Sequence, residues 1–141
     1  MRRKRETKAE KRKRAASVVR AMRKRYPDAT TALTFSSPFQ LLVATVLAAQ
    51  CTDKKVNEVT PVLFKKYKGP AEFARARRPS LEKIIKPTGF FRNKSRNLVA
   101  LSKDIMEKHG GKVPDNMEDL VALRGVGRKT ANVVLAGAYD T

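Results

Sequence analysis

An all-α fold is predicted by three observations. Apolar residues recur at helical spacing along the chain, no stretch alternates polar and apolar residues as a half-buried strand would, and glycines and prolines punctuate the periodic segments. The 141 residues are enough for one domain, and a hydrophobic content of 41% supports a core of ordinary size. Residues 1–16 are mostly Arg, Lys, Glu and Ala, which predicts a flexible basic tail or a solvated helix. Residues 17–36 read as an N-terminal helix carrying Val18, Val19 and Met22, ended by Pro27, followed by a Thr- and Ser-rich connection from Asp28 to Ser37. Residues 37–141 form the main body.

Within that body, Ser36-Ser37-Pro38 is a helix start, because a serine caps free amides and proline suits the first turn. The segment FQLLVATVLAAQ from Phe39 is apolar almost all round, so its helix belongs at the centre of the fold. An amphipathic helix restarts at Thr52-Asp53 and runs through Val56, Val59 and Leu63, with a break expected at Pro61. Gly69-Pro70 and Pro79-Ser80 introduce two short helices, Ala71 to Ala76 and Leu81 to Lys86, and Pro87-Thr88-Gly89 closes the second. Leu98, Leu101 and Ile105 mark a longer helix that Gly110-Gly111 stops. Val113-Pro114-Asp115 leads into a helix from Met117 to Leu123, a glycine turn, and a last helix from Arg128 to about Gly137.

Charge narrows the class of partner. Lys and Arg number 32 against 13 Asp and Glu, a net charge of +19, and residues 1–14 account for only +7 of it. The body itself is therefore strongly basic, which points to a polyanion, with nucleic acid foremost. No apolar run is long enough to span a bilayer and no signal-type stretch follows the basic start, so a soluble cytoplasmic protein is expected, with no membrane partner. The single cysteine, Cys51, excludes an intramolecular disulfide and an all-cysteine metal site, and reads as a core thiol.

The segment LRGVGRKTANVVL, Leu123 to Leu135, places Gly125-Val126-Gly127 between two helical patterns. This is a helix-hairpin-helix. The glycines permit backbone conformations that other residues resist and leave amides uncovered at the positive end of the second helix, where a DNA phosphate can dock without sequence being read. Leu123, Val126, Val133, Val134 and Leu135 anchor the two helices, while Arg124, Arg128 and Lys129 set cations beside the phosphate position. A plain helix-to-helix turn remains the alternative for the glycine pair alone.

LRGVGRKTANVVL, together with AAQCTDKKVN and PTGFFRNKSRNL earlier in the chain, resembles three ordered motifs of the endonuclease III family of helix-hairpin-helix DNA glycosylase/AP lyases, over residues 17–141. Arg124 departs from the proline usual in the family. The resemblance implies an all-α fold: the family's six-helix DNA-binding domain over 37–141, with its hairpin at 124–128 and truncated after 141. It implies base excision on oxidised pyrimidines in damaged or abasic double-stranded DNA, with Lys129 as the nucleophile that attacks C1′, forms an imine and permits β-elimination. A lysine amine must be neutral to attack, and a first-turn position among other cations disfavours the ammonium.

By the same resemblance Gln50 fills the gap left by an extruded base, Thr52 and Asp53 face the DNA, and Phe90 wedges into the opposite strand, with Arg92, Lys94 and Arg96 on backbone phosphates. An ordinary capped helix end and a buried aromatic anchor are the alternatives for Gln50–Asp53 and for Phe90. His109 has no catalytic role assigned. The family's partner aspartate, in a Val-Asp-Thr-His segment, and the four cysteines of its [4Fe-4S] cluster have no counterparts here, so no cofactor and no iron-sulfur domain are expected of this chain. Asp140 lies too close to Lys129 to stand in for that aspartate. A truncated monomer acting at the nucleoid is the expectation, with a catalytically inactive DNA-binding module as the alternative. Lys129 argues against an adenine-specific glycosylase.

Overall fold

The computed structural model describes residues 32–139. The basic tail, the Val18, Val19 and Met22 stripe and the pair Asp140-Thr141 lie outside the described residues. Seven α-helices follow one another among the described residues: α1 Pro38–Leu47, α2 Asp53–Lys66, α3 Pro70–Ala74, α4 Arg78–Ile85, α5 Phe91–Lys108, α6 Met117–Val121 and α7 Arg128–Val134. A 3₁₀ turn, Lys86–Thr88, links α4 to the loop before α5, and a π-helical segment, Leu135–Tyr139, continues α7. No strand occurs among the described residues.

Ser37 starts α1 as its spelling predicts. Its hydroxyl accepts the Gln40 amide at 3.1 Å, and Pro38 occupies the first turn. The helix is buried all round, with Leu41, Leu42, Val43 and Ala44 wholly inaccessible. It packs against α2, α5 and α7, so the apolar segment is the axis on which the fold is assembled. Phe73 of the single-turn α3 plugs one end of this core, its ring centroid 5.4 Å from that of Phe39 and 5.3 Å from that of Tyr67.

Three local expectations are corrected. Helix α2 is not broken at Pro61 but runs through it to Lys66. Pro61 is exposed, so the cost of the missing amide falls where water can reach the helix surface. Helix α4 starts at Arg78 rather than Leu81, because Pro79 sits inside the first turn, where its fixed φ is an advantage. The segment before Ser37 is more than a connection: Leu33 and Phe35 are buried in the core, and Asn57 of α2 staples it by accepting the Thr34 amide at 2.7 Å and donating to the Ala32 carbonyl at 3.1 Å.

The far end of the chain is tied back by Tyr139, whose hydroxyl donates to the Val113 carbonyl at 2.7 Å. Burial, reinforced by the Asp115 carboxylate, pushes this phenol from its ordinary 10.0 up to about 12. The fold holds the neutral phenol, whereas in the unfolded chain the group ionises near 10.0. The contribution of Tyr139 to stability is therefore complete below that pH and is lost as pH rises toward about 12. Urea-unfolding series across this range should show stability declining more steeply in the parent than in Tyr139→Phe, and parallel declines would remove Tyr139 from the linkage.

Candidate nucleic-acid interface

Three loops carry the residues that the sequence singles out, and each has an unusual backbone. After α1 the chain passes through Ala48 and Ala49 to Gln50, which is exposed and takes a left-handed φ of 54°. Before α5 it passes through Gly89, at φ 78°, to Phe90, at φ 47°. Gln50 and Phe90 are the non-glycine residues with positive φ among the described residues. Such conformations persist in side-chain-bearing residues where the surroundings over-determine them, and they cluster at functional sites. Phe90 is 62% exposed, an unusual placement for an aromatic ring, and the buried-anchor alternative is thereby set aside. Phe90, Phe91, Arg92 and Asn93 line a shallow pocket, and the Arg92 guanidinium lies 5.1 Å from the centre of the Phe91 ring.

The third loop is the hairpin between α6 and α7. Gly125 takes φ 78°, and a Cβ there would meet the side chain of Asn97 on α5 at 2.6 Å. Glycine is thus required twice over, by conformation and by close approach. Gly127 is different: its φ is −96°, and a Cβ would meet nothing within 4 Å. The space in front of Gly127 is open. Val126 turns its side chain into the core and its amide to the Leu123 carbonyl at 3.2 Å, so its part in any interface is confined to shaping the turn. Ala131 is the first amide of α7 to bond backwards, to Gly127 at 2.9 Å, which leaves the amides of Arg128, Lys129 and Thr130 without helical partners. Arg124, Arg128 and Lys129 are all exposed around them.

The expectation for Lys94 is overturned. It is 4% exposed, and its Nζ donates to the Leu47 and Thr88 carbonyls at 2.8 Å each, so it does not reach a phosphate. Burial pushes its ammonium below the ordinary lysine range, with the nearby Cys51 acting in the opposite direction. The signal was present in the sequence. Lys94 stands four residues before Leu98 and seven before Leu101, on the apolar stripe of α5. Asn97, the floor under Gly125, had no such signal, since nothing local to it announces a contact with a hairpin far along the chain.

The Thr52 hydroxyl caps α2 by accepting the Lys55 amide at 3.1 Å, and Asp53 is half-buried in the first turn. Both lie beside Gln50, so capping and an interface role are compatible there. Arg92 and Arg96 are exposed on α5. Cys51 is half-buried against the core. A [4Fe-4S] cluster needs four cysteine ligands, which one cysteine cannot supply, and among the described residues no group of His, Cys, Asp and Glu is arranged to hold a metal ion. The residues present do not fit the cluster.

Two short helices joined through the Gly125-Val126-Gly127 turn, within an all-helical arrangement of the described residues, make this a helix-hairpin-helix protein. Residues 43–136 match the family described as HhH-GPD superfamily base excision DNA repair protein. The chain belongs to that superfamily, and within it its three motifs resemble the endonuclease III family. It is 49% identical over 131 residues to Endonuclease III of Synechocystis sp. (strain ATCC 27184 / PCC 6803 / Kazusa), covering 93% of this chain and 60% of that protein. Two solved structures, a non-covalent Endonuclease III–DNA complex and a trapped Endonuclease III–DNA covalent intermediate in its estranged-adenine form, each share a TM-score of 0.77 and 42% identity. Each match covers 91% of this chain and 60% of the other. The chain thus spans about three-fifths of the length of these relatives.

The two hairpin glycines should respond differently to alanine. Gly125→Ala is expected to lower unfolding stability by about 1–3 kcal/mol, for left-handed strain and the clash with Asn97. Gly127→Ala should be neutral or gain about 0.4–1 kcal/mol, because its φ suits any residue and the unfolded chain loses freedom. Equal losses in urea titrations of the two variants would contradict this geometry.

Proposed function

We propose that this chain provides the duplex-binding and nucleophile-bearing part of a DNA glycosylase with AP lyase activity, acting on oxidised pyrimidines and abasic sites in double-stranded DNA. The observation that carries the reading is the hairpin: open space at Gly127, unpartnered first-turn amides on α7, and Lys129 exposed among them. A backbone phosphate binds at Gly127 and the α7 amides, with Arg124 and Arg128 adding charge. Phe90 enters the strand opposite the lesion and Gln50 fills the space of the extruded nucleotide, which brings C1′ to Lys129.

The neutral Lys129 amine attacks C1′, the damaged base leaves with a proton, and the sugar ring opens to an imine. Loss of a C2′ proton then expels the 3′ phosphate and breaks the strand. Among the described residues no helix is long and apolar enough to cross a membrane. Association with chromosomal DNA, at the nucleoid, follows from the proposed partner.

A second reading is duplex binding without lyase chemistry, in which Lys129 contacts a phosphate instead of C1′. Borohydride trapping on abasic-site duplex separates the two, since only an imine becomes a stable covalent link. The parent is expected to trap and Lys129→Ala is not; no trapping by the parent, with binding intact, establishes the second reading. Duplex affinity should fall steeply with salt, and Arg128→Ala should reduce the slope of that dependence by about one. A flat salt response would remove both readings.

A further inference from the structure

The two left-handed loops are separated by 40 positions in the chain, yet one buried side chain holds both. Leu47 is the last residue of α1, three before Gln50, and Thr88 is two before Phe90. Their carbonyls lie at the ends of α1 and of the 3₁₀ turn, where helical partners run out and a cation is favoured. Lys94 Nζ donates to both at 2.8 Å. Its own amide donates to the Phe90 carbonyl at 3.0 Å, so the residue grips the Phe90 loop at two points and the Gln50 loop at one. Further hydrogen bonds within each loop are short-range, among them the Cys51 amide to the Ala48 carbonyl at 3.0 Å, the Gly89 amide to the Lys86 carbonyl at 3.1 Å and the Thr88 hydroxyl to the Ile85 carbonyl at 2.7 Å. These shape each loop but do not connect the two.

We propose that Lys94 is a positioning residue that locks the Gln50 and Phe90 loops into one register, so that filler and wedge enter a duplex as a single unit. Its three N–H donors on a compact head suit two convergent carbonyls, where an apolar side chain would leave both unsatisfied in a buried site. The proposal rests on the duplex-binding reading above for what the two loops do, but the lock itself is a property of the free protein.

Two experiments on the 141-residue chain test it. In the first, without DNA, amide hydrogen exchange is compared between the parent and Lys94→Met. Exchange should accelerate by about tenfold or more at both 49–51 and 89–91, while the hairpin amides 125–130 keep their parental rates. Acceleration confined to one loop, or spread evenly over the chain, overturns the lock whether or not the chain binds DNA.

The second is a double-mutant cycle of Gln50→Ala and Phe90→Ala, read as affinity for an abasic-site duplex. With Lys94 present the two losses should be non-additive by about fivefold, and in the Lys94→Met background they should become additive. Additive losses with Lys94 present overturn the proposal, and that half of the cycle needs no Lys94 variant should Lys94→Met fail to fold. If the parent does not bind duplex at all, the duplex-binding reading fails and the exchange experiment alone decides the lock.

Discussion

One face of α5 holds together three loops that are far apart in the sequence. Phe90 sits at its N-terminus, Lys94 one turn on bonds the ends of α1 and of the 3₁₀ turn, and Asn97 in the next turn lies directly under Gly125. Residues 94, 98, 101 and 105 form the same stripe, so the helix that positions the loops also fills the core through Leu98, Leu101 and Ile105. A shift of α5 would move all three loops together, which is why their placement cannot be separated from the packing of the body.

The buried ammonium is the costly part of this arrangement, since removing a charge from water is unfavourable unless its donors are used. Two carbonyls at helix ends repay that cost because they too would otherwise be buried without partners. The polar junction demands specific geometry where a hydrophobic one would tolerate sliding. That demand is consistent with two neighbouring residues, Gln50 and Phe90, being held in a left-handed conformation that their side chains resist. The other two basic residues of this segment, Arg92 and Arg96, face outward into solvent.

The helices were legible because their signals are local. Ser37 and Thr52 announce caps that the structure contains, and the apolar run after Phe39 announces a buried helix. The glycine hairpin was legible for the same reason, as two glycines and a valine suffice to specify a turn. Pro61 misled because a proline is read as a breaker without knowledge of which side of the helix meets solvent. Leu33 and Phe35 carry no such local signal, because they stand in a Thr- and Ser-rich setting and the Asn57 side chain that bonds this segment lies more than twenty positions away.

By itself, then, the sequence determined that this is a basic, helical protein with a glycine hairpin and a lysine at its edge. Those properties follow from residue type and spacing within a single turn or helix. Only the tertiary structure decided that Lys94 is an internal tie rather than a surface cation, that Gly125 is compelled by Asn97, and that the Gln50 and Phe90 loops share one anchor. Each of these depends on atoms brought together from distant parts of the chain, and burial, which sets whether a charge meets water or a carbonyl, exists only once the helices have packed.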